Sequence, residues 1–224
     1  LTMKGDFIPK KVMIETKSKL TKDDLIQFEE EIKELFLDGK IRTPVHLATG
    51  SEDKLIEIFK NVHENDWVFS AYRSHYHALL KGIPAEQLKK EIVNGHSMHI
   101  NSYKHRFFTS SIVGGCLSIA VGVAMAIQRQ ELSDWVWVFV GDMAAEMGIF
   151  YECHKYAKRH NLPITFVVED NSLSVNSPTQ ECWGNDITAP PNKRDTFNSK
   201  GGCIRFEYER VYPHQGSGDW VVFR

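Results

Sequence analysis

Long apolar runs are missing from this 224-residue chain. The longest candidate, residues 112 to 127, is interrupted by Gly114, Gly115, Ser118 and Gly122. It falls short of the roughly 18 to 20 apolar residues a membrane span requires. A surplus of positive charge is missing too. Lys plus Arg number 27 against 29 Asp plus Glu, a formal net charge of −2. A near-neutral chain without a basic tail argues against nucleic acid or an anionic membrane as partner. Cysteine is scarce and scattered: four residues, Cys116, Cys153, Cys182 and Cys203, with no C-x-x-C pair. That excludes a zinc knuckle or a thioredoxin-type site and points to a reducing, cytoplasmic setting. Residues 1 to 20 hold many lysines and no apolar leader core, so no secretory signal is read there. Ten histidines are present without an H-E-x-x-H spacing, so most read as surface or polar-core residues.

What is present is a soluble-domain composition, 42% hydrophobic and 25% charged, with enough length to bury a core. Thr21 and Asp24 form a capping-box start. Leu25, Phe28, Ile32, Leu35 and Phe36 then recur at helical spacing up to Asp38-Gly39. Residues 1 to 40 are thus expected as an N-terminal arm and helix, and 41 to 224 as the main domain. Helices are expected over 52–61, 72–80, 84–94, 114–130 and 144–160. Strands are expected over 67–71, 135–140, 164–168 and 204–208. Residues 95–111 and 176–202 read as loops, rich in turn residues and lacking periodicity. Trp135 to Val140 is apolar on both faces, the mark of a buried parallel strand. Strand, helix, strand over 135–168 makes a βαβ unit with a right-handed crossover. The fold class is α/β, a mostly parallel sheet flanked by helices.

In such sheets ligands bind beyond the carboxyl ends of the strands. Asp142 follows one strand and Asn171 the next. A carboxylate and an amide oxygen on one sheet edge suit a hard cation such as Mg2+. The helix start near Ala144 turns free N–H groups to the same place, which suits a phosphate. The plain alternative is that Asp142 simply caps the following helix. The Gly-x-Gly-x-x-Gly dinucleotide fingerprint is absent after either strand.

These residues carry a resemblance. Gly141-Asp142-Met143-Ala144-Ala145, Leu162-Pro163 and Glu169-Asp170-Asn171 resemble the thiamine-diphosphate motif, a G-D-G, a helix and then N-N. His46-Leu47-x-x-Gly50-x-Glu52, Ala71-Tyr72-Arg73-Ser74-His75, Ser97-Met98-His99 and Arg210 to His214 fall in matching order. The chain resembles the alpha subunit of the thiamine-diphosphate-dependent 2-oxo acid dehydrogenases, the pyruvate, branched-chain and acetoin group. The resemblance implies thiamine diphosphate and Mg2+ as cofactors. Asp142, Asn171 and the Leu173 carbonyl would hold the metal. Arg73 with Tyr72, Met143, Ala144 and His214 would meet the diphosphate, and Ser111 and Val113 the aminopyrimidine. His46 would face the substrate, with His75 a further candidate in that pocket, so His46, His75 and His214 are the catalytic candidates. It implies a beta subunit in an α2β2 assembly, supplying the Glu that starts the chemistry, and a lipoyl-bearing acyltransferase as acceptor. A split transketolase-like subunit and a non-catalytic scaffold with a decayed site are the alternatives. Three departures bear on the site. Met143 stands where the second Gly is usual, and Glu146-Met147 where Asn-Gln is usual. The stretch between Gly184 and Gly202 is short, which would leave the pocket open to a larger acceptor.

Overall fold

The computed structural model describes residues 20–183 and 199–222. The charged lead-in over 1–19 and the shortened stretch after Gly184 lie outside the described residues. The chain opens with helix α1, Lys22–Leu37, capped as expected. Thr21 N donates to Asp24 (2.7 Å) and Asp24 N to Thr21 Oγ1 (3.3 Å), closing two of the helix's orphan donors. Helix α2 (Glu52–Phe59), strand β1 (Trp67–Ser70), α3 (His75–Leu80) and α4 (Ala85–Glu91) follow. Then come β2 (Phe107–Thr109), α5 (Gly115–Arg129), β3 (Val136–Gly141), α6 (Asp142–Ala145) and α7 (Gly148–Arg159). The last elements are β4 (Ile164–Asp170), β5 (Leu173–Ser174), β6 (Ser177–Pro178), α8 (Thr179–Trp183) and β7 (Gly202–Glu207).

The main sheet has five strands in the order β2-β1-β3-β4-β7, every pairing parallel. Its side chains alternate between two cores, as a strand's period of two requires. Trp137 and Phe139 pack with α1, α2, α3 and α4 on one face. Val136, Val138 and Val140 pack with α5 and α7 on the other. That is why residues 135–140 are apolar throughout. Leu25, Phe28, Ile32 and Phe36 of α1 share the first core with Val68 and Trp137, so this helix is packed into the sheet's own core. Trp137 is 1% exposed and its indole donates to Asp66 Oδ2 (3.1 Å), so the ring is core.

Several local expectations need correction. The helix expected over 144–160 is two helices, because Met147 is extended (φ −75°, ψ 146°) between them. One extended residue leaves the apolar spacing on either side almost intact, so periodicity misses it. The expected loop 95–111 contains β2, too short for alternation to register, which adds the outer strand beside β1. The expected loop from 176 contains β6 and α8. Strand β7 starts at Gly202, two residues before Ile204, because its pairing partner Thr165 carries the ladder that far.

Candidate active site

The carboxyl ends of four parallel strands build one cleft. β1 ends at Ser70, β3 at Gly141, β4 at Asp170 and β7 at Glu207. Gly141 pairs with Glu169, so Asp142 and Asn171 leave adjacent strands on the same edge. Tyr72, Arg73, Val113, Asp142, Met143, Ala144, Asn171, Leu173 and His214 all border the cleft. The sequence reading had named each of them.

Asp142 is 2% exposed and accepts a short hydrogen bond from the Thr179 hydroxyl at the start of α8. Burial raises its pKa, which the Thr179 bond partly offsets. Thr179 is itself pinned by its backbone N–H to Ser172 O (3.0 Å). Asn171 Oδ1 accepts from Leu173 N (3.0 Å), and its Nδ2 donates to the Tyr208 hydroxyl (3.0 Å). An amide oxygen has two lone pairs, so one remains for a cation. Among the described residues no three His, Cys, Asp or Glu side chains gather as a metal cluster. The oxygens bordering the cleft include the Asp142 and Glu169 carboxylates and the Asn171 amide. That hard, mixed set fits Mg2+ or Ca2+ and not a soft metal.

Two arginines border the same cleft. Arg73 donates through Nη1 to Leu47 O and through Nη2 to His214 O (3.1 Å). Two of its five N–H donors are thus spent on holding the fork in place. Arg210 reaches across to Val175 O (2.8 Å) and Asn176 Oδ1 (3.3 Å), tying the late loop to the hairpin that carries Leu173. Burial lowers the pKa of His214, and the charges of Arg73 and Arg210 lower it further. His46 does not itself border the cleft; it lies 4.5 Å from the Tyr72 ring and 4.9 Å from the His214 ring, centroid to centroid. It is 5% exposed, and burial first, then Arg73, hold its pKa down to about 3. His46 is therefore a neutral imidazole at neutral pH.

Besides His46, two of the named residues are placed elsewhere. His75 is fully buried between Glu29 and Ser97 and does not border the cleft. Ser111 lies outside the lining and bonds His99 Nε2 (2.9 Å). The helix-end argument is also narrowed. The helix at the cleft, α6, is a single turn, and the long helix starts six residues further on at Gly148. One turn carries little of a macrodipole, although first-turn N–H groups still lack intrahelical acceptors. Met143 causes no strain: it sits inside α6, outside the left-handed positions. Glu146 turns away, accepting from the Tyr151 hydroxyl (3.2 Å) and lying 3.8 Å from Arg205.

The sequence reading missed Ser70, Cys116, Glu169, Tyr208 and Arg210, which also border the cleft. The strand-end rule that singled out Asp142 and Asn171 points equally to Ser70, Glu169 and Tyr208. Cys116 is a buried thiol raised to about 11, donating to Ser70 O, and so is not a nucleophile at neutral pH. Burial pushes Tyr208 up to about 12.

The model of the "Dehydrogenase E1 component" family matches residues 21–184. The chain belongs to that family. Among its relatives is the alpha subunit of acetoin:2,6-dichlorophenolindophenol oxidoreductase from Bacillus subtilis (strain 168). It is 31% identical over 187 residues, covering 79% of this chain and 56% of the relative. The pyruvate dehydrogenase E1 component subunit alpha of Porphyra purpurea is 33% identical over 170 residues, 66% of this chain and 48% of the relative. That of Rickettsia bellii is 27% identical over 200 residues, 84% and 60% respectively. The chain spans about half the length of these relatives. The family match covers α1 through α8, so it includes both strand ends that carry Asp142 and Asn171. No helix among the described residues is long and apolar enough to cross a membrane.

Proposed function

We propose that this chain is the alpha subunit of a heteromeric thiamine-diphosphate-dependent enzyme. It decarboxylates a 2-oxo acid and passes the acyl or aldehyde unit to an acceptor. The observation that carries the reading is the cleft's mixed chemistry. Hard oxygens from adjacent strand ends border the same cleft as Arg73, Arg210 and His214. Such a set suits a metal–diphosphate group, which takes oxygen ligands for its cation and charge-assisted N–H donors for its phosphates. Asp142, the Asn171 oxygen and the Leu173 carbonyl would hold Mg2+. Arg73, with Met143 and Ala144 N–H groups, would hold the diphosphate, and Val113 would border the ring.

When bound, thiamine diphosphate supplies the electron sink for decarboxylation. This chain orients the cofactor and offers His214 as an uncharged imidazole bordering the cleft, with His46 packed behind it. His214 can accept or donate a proton there, whereas His46, held down to about 3 by burial, stays neutral and packs against it. In the family that the motifs resemble, the carboxylate that activates the ring belongs to the beta subunit. A beta chain in an α2β2 assembly is therefore proposed to supply it, and a lipoyl-bearing acyltransferase to accept the product. Four free cysteines agree with a reducing compartment, which we take to be the cytoplasm.

A thermal-shift titration with thiamine diphosphate and Mg2+, on the chain with its copurifying partner, tests the reading. A rise in melting temperature that Asp142→Ala abolishes is expected. No rise in the presence of the partner would establish the scaffold alternative instead.

A further inference from the structure

Glu29 lies wholly out of solvent on α1, flanked by the core residues Phe28 and Ile32. A carboxylate in that position is costly unless it is bonded. Its oxygens accept from Ala48 N (3.2 Å) and from His75 Nδ1 (3.0 and 3.2 Å). The other imidazole nitrogen of His75 meets Ser97 Oγ at 3.0 Å. Serine, histidine and glutamate in series have the composition of a hydrolytic triad. All three are 0% exposed and none borders the cleft, so no substrate reaches them.

Their placement gives a different use. Ala48 follows Leu47, whose carbonyl accepts from Arg73 Nη1. His75 comes two residues after Arg73. One carboxylate thus bridges the two backbone stretches whose separation sets where the Arg73 guanidinium emerges. The far end of the guanidinium is fixed by His214 O, on a late loop that Gly216 N ties back to Val45 O (2.9 Å). The stretch 45–48 is held between α1 on one side and the late loop on the other.

We infer that Glu29, through Ala48 and His75, is a positioning residue that aims Arg73 into the cleft. The inference rests on the reading of that cleft as a diphosphate site. It makes α1 part of the anion-binding apparatus, although no atom of α1 borders the cleft. Without the carboxylate, the Ala48 N–H and the imidazole N–H lose their shared acceptor and the two stretches are free to separate. Glutamine at the same position keeps an oxygen for Ala48. Its N–H can donate to His75 once the imidazole takes its other tautomer and donates to Ser97.

The test compares Glu29→Leu, Glu29→Gln and Leu25→Ala in the full chain with its partner. Leu25 is a buried core residue of the same helix that touches neither stretch's hydrogen bonds. Binding of inorganic pyrophosphate with Mg2+ is measured by calorimetry, and hydrogen exchange of peptides over 45–50 and 72–76 by mass spectrometry. Glu29→Leu is expected to weaken pyrophosphate at least about tenfold, the usual lower range for removing a residue that orients a ligand-binding side chain. It is also expected to speed exchange in both peptides. Glu29→Gln should recover most of the affinity. Leu25→Ala should lower the melting temperature while leaving the affinity unchanged. If Glu29→Leu binds pyrophosphate like the wild type, or if Leu25→Ala loses as much, the inference is overturned. If the wild-type protein itself ignores pyrophosphate, the diphosphate reading fails. Exchange rates in Glu29→Leu equal to wild type would still, separately, overturn the link from Glu29 to the Arg73 stretch.

Discussion

Acidifying the protein from pH 7 to pH 5 should expose His46 as a stability sensor. The ring is 5% exposed, packed against Tyr72 and His214, and its Nδ1 is buried without a hydrogen-bond partner among the described residues. Burial, then the Arg73 charge, hold its pKa in the folded protein at about 3. In the unfolded chain it returns to about 6.5. Between these values the unfolded state binds a proton that the folded state refuses, so stability falls as pH drops below 6.5. The loss continues until about pH 3, where both states are protonated. Each pH unit in that window costs about 1.4 kcal/mol, so about 2 kcal/mol is gone at pH 5. The assay is urea denaturation of wild type and His46→Gln at pH 7 and pH 5. Burial depresses His214 in the same direction, so both proteins retain some slope from that residue. The wild type should lose about 2 kcal/mol more than the variant. Equal losses, or an imidazole resonance of His46 titrating near 6.5, would refute the reasoning.

Gly50→Ala should destabilise by at least about 2 kcal/mol, read from melting curves, since left-handed backbone alone costs 1–2. Gly50 has φ +97°, and an added Cβ would lie 1.9 Å from Glu209 O, displacing the stretch that carries Tyr208 and Arg210. Thr179→Val should cost about 1–3 kcal/mol by leaving the buried Asp142 without its hydroxyl donor. A wild-type urea midpoint in that variant would count against the bond. Phe139→Ala should cost about 3–5 kcal/mol in the same assay, because the ring is fully buried and stacked 5.5 Å from Phe59. A loss below about 1 kcal/mol would mean that the core repacks around the gap.

The sequence was most legible where a single strand or turn decides the outcome. The run from Trp135 to Val140 announced a strand covered on both faces, because no other element needs apolar residues at every position. Asp142 and Asn171 were found because a parallel sheet puts the ends of neighbouring strands side by side, and Gly141 does pair with Glu169. Thr21 and Asp24 gave the start of α1 for the same local reason. These features depend on residues close in sequence, or on one rule about strand ends.

Contacts between distant stretches were not legible. Nothing near Thr179 foretells a bond to Asp142, 37 positions earlier. His75 reads as a pocket residue beside Arg73, yet the fold turns it to Glu29, 46 positions away. Residue types and their order thus pointed to four of the sheet's five strands and to the oxygens at their carboxyl ends, since those follow from periodicity and hydrogen-bond geometry. Only tertiary packing decided which side chains face the cleft and which are buried behind it. A side chain's direction is set by what packs against it, and those neighbours come from elsewhere in the chain.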